Sequence, residues 1–187
     1  MRIISGKLKN KKIIQPIDNL TRPLKDMVKE SIFNIIEHSK FIKFNIKGST
    51  ILDLFSGSGS FGLECISRGA QEVFFCENYK PALNVLKKNI NNLYCIENSK
   101  ILEGDAYKVL KNKKISEKKF QIIFLDPPFN EKKINELLQL IYVNNILDKN
   151  GIIILHRNKK NTDSFPSKFK VVIEKIYGLS KIYFGSN

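Results

Sequence analysis

The residues best suited to chemistry form one short segment, Asp126-Pro127-Pro128-Phe129, directly after the apolar run Phe120–Leu125. The two prolines fix φ and remove two backbone donors, and they favour extended geometry at the residues before them. The Pro127 carbonyl is then held beside the Asp126 carboxylate, so the pair offers two acceptors to one NH2 group. They would point the lone pair of a delocalised amine at an electrophile, while Phe129 could stack on its ring. We predict that all four residues are catalytic; the alternative is a proline-rich turn.

A second segment has the spacing of a ligand-binding loop. Gly57, Gly59 and Gly62 fit the pattern G-x-G-x-x-G between an apolar and a helical run, where backbone must pass close to a ligand. Glu77 ends the next apolar run, where a carboxylate can accept from ribose hydroxyls. NAD and S-adenosylmethionine both use this geometry. A carboxylate at Asp53 disfavours a pyrophosphate and favours an ammonium and a sulfonium. We therefore predict S-adenosylmethionine as the cofactor; the alternative is a tight turn with a capping acid.

A third apolar run is followed by another candidate acid. Asp105 could accept from an adenine amino group or cap the next helix, and the residues alone favour neither role. The predicted cofactor-binding residues are Asp53, Phe55, Gly57, Gly59, Glu77, Asp105 and Ala106.

No metal site is expected. The two histidines and three cysteines form no C-x-x-C or H-E-x-x-H pattern, and the sequence contains no Walker motif. We predict that Cys65, Cys76 and Cys95 are buried and unpaired, as in a reducing cytoplasm. The N-terminus turns polar too early for a signal peptide, and no apolar run reaches the roughly 18 residues of a membrane span. We therefore expect a cytoplasmic protein without a membrane partner.

Basic residues are in large excess and are unevenly distributed. The formal net charge is +14, and residues 1–47 hold half of it, with eleven basic and four acidic side chains. Such a surplus favours a polyanionic partner. The competing explanation is compositional bias, because 28 of the 32 basic residues are lysine. Bias would also enrich aspartate and glutamate, of which there are only 18, so nucleic-acid binding is favoured.

Alternating strands and helices are predicted from residue 48 onward, which is typical of a parallel sheet covered on both faces. Two final apolar runs meet at Tyr177-Gly178 without a helix and should pair antiparallel at one edge. The fold class is α/β, with a doubly wound, seven-stranded, mostly parallel sheet. We predict strands at Thr50–Phe55, Glu72–Glu77, Lys100–Leu102, Phe120–Leu125, Gly151–Leu155, Lys170–Ile176 and Lys181–Phe184, and helices at Ser60–Arg68, Pro81–Asn91, Ala106–Leu110 and Lys132–Tyr142.

Residues 1–47 are predicted to be a basic extension of the catalytic core, residues 48–187, within one domain. The extension would contain a hairpin, from Arg2 to Gln15, and a helix capped by Thr21 with Pro23 in its first turn. This helix should end at His38 and expose Lys25 and Lys29. Its buried face would carry Met27, Val28, Ile32, Ile35 and Ile36.

The motifs together resemble a known family. The run D-L-F-S-G-S-G-x-x-G-L-E from Asp53, with Asp126-Pro127-Pro128-Phe129, resembles the class I amino-methyltransferases. The N-terminal signature is narrower and resembles the RsmD-type 16S rRNA guanine-N2 methyltransferases. It consists of Arg2-Ile3-Ile4-Ser5-Gly6-Lys7, Thr21-Arg22-Pro23, Asp26 and Lys29-Glu30-x-x-Phe33-Asn34. The resemblance extends from Arg2 to Gly178.

This resemblance implies a Rossmann-like fold that uses S-adenosylmethionine to methylate the exocyclic N2 amino group of a guanine in 16S rRNA. The substrate would be an assembled or partly assembled small ribosomal subunit, and we expect the enzyme to be a monomer. It implies cofactor positions at Asp53, Gly57, Gly59, Glu77 and Asp105 and catalytic positions at Asp126 to Phe129. The predicted RNA-binding residues are Arg2, Lys7, Lys11, Lys12, Arg22, Lys25 and Lys29.

Two residues depart from the family pattern. His156 follows the fifth predicted strand, where the family usually has an acid. Lys29 replaces the commoner arginine before Glu30, and lysine cannot hold a phosphate in the bidentate manner of arginine.

Two other functions remain open from the sequence. The first is amino-methylation of DNA or of another RNA, although a DNA enzyme generally needs an added recognition region for which 187 residues leave little room. The second is a non-catalytic ribosome-assembly factor that binds S-adenosylmethionine. The intact Asp126-Pro127-Pro128-Phe129 segment argues against that alternative, because a protein without turnover has no physical need for it.

Overall fold

A parallel sheet occupies the centre of the protein. The structure is a computed structural model that describes residues 1–18 and 24–186. The sheet has the strand order β3-β2-β1-β4-β5-β7-β6. Strands β1 to β5 pair in parallel, and β7 is antiparallel to β5 and β6. The predicted fold class is confirmed. The strands are β1 (Thr50–Leu54), β2 (Glu72–Glu77), β3 (Ser99–Glu103), β4 (Phe120–Leu125), β5 (Leu147–Asn158), β6 (Lys170–Tyr177) and β7 (Ser180–Ser186).

Helices cover both faces of the sheet, as predicted. They are α1 (Asp26–His38), α2 (Ser60–Ser67), α3 (Lys80–Asn92), α4 (Ala106–Leu110), α5 (Lys113–Ser116) and α6 (Ile134–Val143). One core lies under α1, α2 and α3, where Phe61 stacks between Phe33 and Phe124 with ring centroids 5.2 and 4.0 Å apart. The second core lies under α4, α5 and α6. The four-residue helix α5 was not predicted, because so short a segment shows no helical periodicity.

Strand β5 is longer at both ends than the predicted strand Gly151–Leu155. It continues to Asn158 because His156 and Arg157 still pair with β7, opposite Ile182 and Lys181. Both side chains are buried, at 2% and 1% exposure. His156 therefore lies within the fifth strand, and the prediction that it follows the strand is wrong. The sequence indicates a strand end here because His156, Arg157 and Asn158 are consecutive polar residues. In the structure, hydrogen-bond partners allow the first two to be buried.

The N-terminal segment forms the predicted hairpin. Arg2 and Lys12 make an antiparallel bridge. The hairpin is attached to α2 by Glu64, whose carboxylate accepts from the backbone N–H groups of Ile4 and Ser5 at 2.7 and 2.9 Å. The hairpin also contributes two buried side chains to the core of α1 to α3, Ile3 and Ile13.

Helix α1 buries Val28, Ile32 and Ile36 as predicted, but its buried face is shifted toward Lys29 and Phe33 and away from Met27. Lys29, predicted to be exposed, is 0% exposed, and its Nζ donates to the Arg2 carbonyl at 2.7 Å and to Ser60 Oγ at 3.2 Å. It also pairs with Glu64 at 3.4 Å. Burial lowers the pKa of Lys29, and the Glu64 carboxylate opposes that shift. Met27, predicted to be buried, is 62% exposed. The predicted RNA contact by Lys29 is therefore wrong, because its ammonium is held inside the protein.

The rest of α1 agrees with the sequence analysis. It ends at His38 as predicted and begins at Asp26, with Lys25 as the N-cap residue. The predicted capping residues Thr21 and Pro23 lie outside the described residues. The buried side chains, Val28, Lys29, Ile32, Phe33 and Ile36, form one stripe at helical spacing.

The three cysteines are buried and unpaired, as predicted. Burial raises the pKa of all three thiols, that of Cys76 to about 12. They therefore remain neutral thiols at physiological pH. Among the residues that the structure describes, none of the helices has the length and apolar character to span a bilayer.

Gly62 brings α2 close to the sheet. A Cβ atom at this position would lie 2.3 Å from Phe75 Cε1 and 2.8 Å from Val73 Cγ1, both on β2. We expect Gly62→Ala to lower the free energy of unfolding by about 1–3 kcal/mol, because overpacking outweighs the better helix propensity of alanine. Denaturant unfolding measures the change. Unchanged stability would show that α2 can move away from the sheet at no cost.

Candidate active site

A cavity of about 570 Å³ opens at the carboxyl ends of β1, β2 and β4. Ligands of open parallel sheets bind outside these ends, where the strand order reverses. The topology brings both segments singled out from the sequence to its wall. The predicted cofactor-binding and catalytic residues that line it are Asp53, Phe55, Gly57, Glu77, Asp126, Pro127, Pro128 and Phe129.

The glycine-containing loop between β1 and α2 makes a tight, left-handed turn. Phe55, Gly57 and Gly59 have φ of 63°, 56° and 84°, and the Gly59 N–H closes the turn on the Ser56 carbonyl at 2.8 Å. A Cβ at Gly57 would meet no atom within 4 Å, whereas one at Gly59 would lie 2.5 Å from Leu86 Cδ1. Gly57 therefore leaves open space beside the cavity, and Gly59 allows α3 to approach the loop.

Glu77 fixes the loop from the end of β2. Its Oε2 accepts from the Gly57 N–H at 2.7 Å. Its Oε1 accepts from the N–H groups of Asn78 and Tyr79 at 2.9 and 2.8 Å. The carboxylate is 8% exposed and lines the cavity, so its remaining lone pairs can accept from a ligand.

Asp53 is the most buried acid of the cavity, at 1% exposure. Its Oδ2 accepts from the Gly62 N–H at 3.0 Å, whereas Oδ1 has no partner within the described part of the chain. Burial raises the pKa of the Asp53 carboxyl well above its usual value; the Gly62 N–H opposes the shift, and the charges of Asp126 and Glu77 add to it. A cationic ligand would satisfy Oδ1 and favour the ionised form.

Three predicted cofactor-binding residues, Gly59, Asp105 and Ala106, do not line this cavity. Asp105 caps α4, because its Oδ1 accepts from the N–H groups of Tyr107 and Lys108 at 3.1 and 3.2 Å. Of the two roles that the sequence left open for Asp105, the structure therefore shows the capping one, and it leaves Oδ2 available to a further donor.

The catalytic segment predicted from the sequence follows β4 and contacts β5 through side chains. Asp126 Oδ1 lies 2.8 Å from His156 Nδ1, and His156 Nε2 lies 2.9 Å from Ser180 Oγ on β7. The Phe129 ring packs edge-on against the imidazole, at 5.7 Å between centroids. Within the described residues, the Pro127 carbonyl accepts no hydrogen bond. The Asp126 carboxylate is therefore fixed at one oxygen, and a second acceptor stands beside it.

The backbone of this segment is held by the end of β5 and by the chain that follows it. Arg157 donates to the carbonyls of Pro128 and Glu131 at 3.1 and 2.7 Å, and Asn161 donates to the Phe129 carbonyl at 2.9 Å. Asp163 holds the guanidinium through two hydrogen bonds of 2.8 and 2.9 Å. Because Pro127 and Pro128 have no N–H, the segment is held mainly through its carbonyl oxygens.

Comparison with known proteins identifies the family. The family model described as "Conserved hypothetical protein 95" matches residues 1–186. The chain belongs to this family, the RsmD family of class I methyltransferases. Enzymes of this class take their methyl group from S-adenosylmethionine, so the predicted cofactor is supported together with the family.

Several relatives share most of their length with this RsmD family member. "Ribosomal RNA small subunit methyltransferase D" of Haemophilus influenzae is 33% identical over 180 residues, which cover 96% of this chain and 90% of the relative. The protein of the same name from Buchnera aphidicola subsp. Acyrthosiphon pisum is 35% identical over 182 residues, or 97% and 90% of the two chains. The solved structure of yhhF from Escherichia coli superposes with a TM-score of 0.84 at 27% identity, covering 99% of this chain and 96% of that one.

The basic residues singled out in this RsmD family member differ in their positions. Arg2, Lys7, Lys11, Lys12 and Lys25 are exposed, Lys29 is buried, and Arg22 lies outside the described residues. The hairpin tip is far from the cavity, because the Lys7 N–H donates to the carbonyl of Ser67 at the far end of α2. The Arg2–Lys12 bridge lies nearer, since the Arg2 carbonyl shares the Lys29 ammonium with Ser60 at the start of α2.

Sequence reasoning missed several residues that shape this RsmD-family site. Gln15 and Pro16 line the cavity, and Gln15 donates to Ser58 Oγ at 2.9 Å; nothing in their local sequence indicates this. Arg157 did carry a signal, because the chain has only 4 arginines among its 32 basic residues. An arginine is favoured over lysine where a planar, multidentate donor is needed.

Proposed function

We propose that this protein transfers a methyl group from S-adenosylmethionine to the exocyclic N2 amino group of a guanine in 16S rRNA of the small ribosomal subunit. The observation that carries the proposal is the position of Asp126 beside the Pro127 carbonyl, which accepts no hydrogen bond from the described residues, in the cavity that Asp53 and Gly57 also line. The names of relatives, "Ribosomal RNA small subunit methyltransferase D", support ribosomal RNA as the substrate.

The cofactor side of the cavity suits a cationic nucleoside. When bound, S-adenosylmethionine supplies an electrophilic methyl group. The unpartnered Oδ1 of Asp53 would accept from the ammonium of its amino-acid moiety, and Glu77 would accept from the ribose hydroxyls. Phe55, Gly57 and Gly59 would shape the loop that lies against the ligand. Asp105 and Ala106 do not line the cavity, and they would contact the adenine where it extends outside the cavity.

The amine side of the cavity suits a planar base. The target NH2 group would donate one hydrogen bond to Asp126 Oδ2 and one to the Pro127 carbonyl. These two acceptors hold the nitrogen so that its lone pair points to the cofactor side, and the carboxylate stabilises the positive charge that develops there. Phe129 stacks on the base and excludes water from it. Pro128 keeps the turn rigid, and Arg157 holds its carbonyl.

The exposed basic side chains of the hairpin and of the start of α1 would form the surface that binds the RNA. Arg2, Lys11 and Lys12 face solvent, and the segment that follows the hairpin lines the cavity through Gln15 and Pro16. RNA bound along the hairpin would therefore run toward the cavity mouth. Lys7 and Lys25 would extend this surface.

The experiment that tests the proposal compares four substrates for transfer of a labelled methyl group. These are small ribosomal subunits lacking the modification, naked 16S rRNA, transfer RNA and duplex DNA, each with Asp126→Ala as the inactive control. We expect label on the subunits or on 16S rRNA, at N2 of one guanine. Label on transfer RNA or DNA alone would refute the proposed substrate. Binding of S-adenosylmethionine without transfer to any substrate would instead support a ribosome-assembly factor.

The basic hairpin makes a separate prediction. Changing Lys7, Lys11 and Lys12 to glutamine should weaken RNA binding and reduce the slope of log affinity against log salt by up to about 2, because fewer counterions are released. The matched control changes Lys111, Lys113 and Lys114 to glutamine. These three changes remove the same charge from the opposite face of the sheet. Binding assays over a salt series measure both slopes. Equal slopes for the two variants would show that the hairpin lysines have no special role in RNA binding and reflect compositional bias.

A further inference from the structure

His156 is a buried polar residue that connects the catalytic segment to β7. It lies on β5 and is 2% exposed. Its two ring nitrogens contact Asp126 Oδ1 and Ser180 Oγ, at 2.8 and 2.9 Å. His156 does not line the cavity. It therefore acts on a bound substrate only through the residues it contacts.

We infer that His156 is a positioning residue, which holds the Asp126 carboxylate by one oxygen so that the other oxygen receives the target amine. This inference rests on the proposed amine-methylating function. In this role His156 controls the orientation of Asp126 and contacts neither the base nor the cofactor.

The direction of the hydrogen bonds follows from the donor capacity of each partner. An ionised carboxylate only accepts, so Nδ1 must carry the proton that it shares with Asp126. The Ser180 hydroxyl can donate to an unprotonated Nε2 or accept from a protonated one. The contact to Asp126 is therefore maintained in both the neutral Nδ1–H tautomer and the imidazolium ion.

Asp126 needs such a donor because its carboxylate could otherwise rotate in the open cavity, which it shares with Asp53 and Glu77. A hydrogen bond from a buried ring to one carboxylate oxygen stops this rotation. The ring itself is fixed by Ser180 on one side and by the edge-on Phe129 ring on the other. A carboxylate oxygen held in one orientation accelerates methyl transfer more than one that samples several orientations.

Nitrogen NMR tests the geometry without any substrate. The chain has only two histidines, His38 and His156, so the imidazole signals of His156 can be assigned by comparison with His38→Gln. We expect a protonated Nδ1 in the wild-type protein. We also expect that signal to change in Asp126→Asn, where the partner is no longer a carboxylate. An unprotonated Nδ1 with a protonated Nε2 would overturn the inference, because that tautomer cannot donate to Asp126.

Two substitutions of equal polarity separate positioning from packing. His156→Asn keeps a donor near the place of Nδ1, whereas His156→Gln reaches toward Ser180 and loses the donor to Asp126. We expect His156→Gln to lower kcat by about 10- to 100-fold with little change in the affinity for S-adenosylmethionine. His156→Asn should retain most of the activity. Thermal unfolding shows whether both variants fold.

The outcomes distinguish this inference from the proposed function. If the wild-type protein methylates RNA and His156→Gln is equally active, or His156→Asn is no better than His156→Gln, then His156 does not position Asp126. If the wild-type protein methylates no nucleic acid but shows the Nδ1–H signal linked to Asp126, the contact stands and the proposed function fails.

Discussion

Replacing Asp126 by alanine should reduce methyl transfer by about a thousandfold or more, because the variant loses both the orientation of the target amine and the stabilisation of its developing charge. Binding of S-adenosylmethionine should be largely unchanged, since the cofactor contacts proposed above are made by other residues. Single-turnover transfer of a labelled methyl group measures the first quantity, and calorimetric titration measures the second.

The matched control for this variant is Asp148→Ala. Asp148 lies near the start of β5, at the amino ends of the strands and therefore opposite the cavity. Its carboxylate accepts a hydrogen bond from the Gln121 side chain at 3.2 Å. Its loss should leave transfer unchanged. Near-normal turnover in Asp126→Ala would remove Asp126 from the mechanism, and a parallel loss of cofactor binding would assign it to the cofactor side of the cavity.

Replacing Asp53 by asparagine should weaken binding of S-adenosylmethionine by about 10- to 100-fold, the loss expected for a charge-assisted hydrogen bond. Asparagine can still accept from the Gly62 N–H, so the loop should keep its shape. Asp148→Asn again provides a control of the same chemistry. Unaltered affinity in Asp53→Asn would show that the unpartnered Oδ1 does not face the ammonium of the ligand.

The affinity of the wild-type protein should also depend on pH. Burial raises the pKa of Asp53 in the ligand-free protein, and a bound cation favours the ionised carboxylate. Affinity should therefore fall as pH is lowered through the raised pKa, above the range in which an exposed aspartate titrates. The α-amino group of the ligand remains protonated below about pH 7, so the dependence there belongs to the protein. Asp53→Asn should abolish it.

The same shift affects stability without ligand. Between the usual carboxyl pKa and the raised one, the folded state binds more protons than the unfolded state, so stability decreases as pH rises. Asp53→Asn has no such proton to lose. Its stability relative to the wild type should therefore increase as pH rises across this window, which denaturant unfolding at several pH values can measure.

The main features of the cavity could be predicted because they depend on local patterns. Asp53, Glu77 and Asp126 each lie at or next to the carboxyl end of an apolar strand, and a parallel sheet brings such ends together. No knowledge of distant side-chain contacts was needed. The same reasoning applies to the N-terminal hairpin, whose buried isoleucines flank a polar turn.

The residues that support the cavity could not be predicted in this way. His156 contacts Asp126 across 30 residues of sequence, and Lys29 contacts Ser60 across 31. Each is a polar side chain that is buried because a distant partner satisfies it, and the periodicity of the sequence does not reveal such a partner. Met27 was assigned to the core for the converse reason, since an apolar residue beside a helix stripe looks like part of it.

The position of β7 has a consequence for the order in which this protein can fold. β7 follows β6 in the chain but lies between β5 and β6 in the sheet, so β6 has no neighbour to pair with until β7 has been synthesised. During vectorial synthesis the glycine loop and the Asp126 segment emerge first, while the Ser180 that fixes His156 emerges later. The cofactor cavity can thus assemble on the nascent chain before the imidazole that holds Asp126 is locked in place.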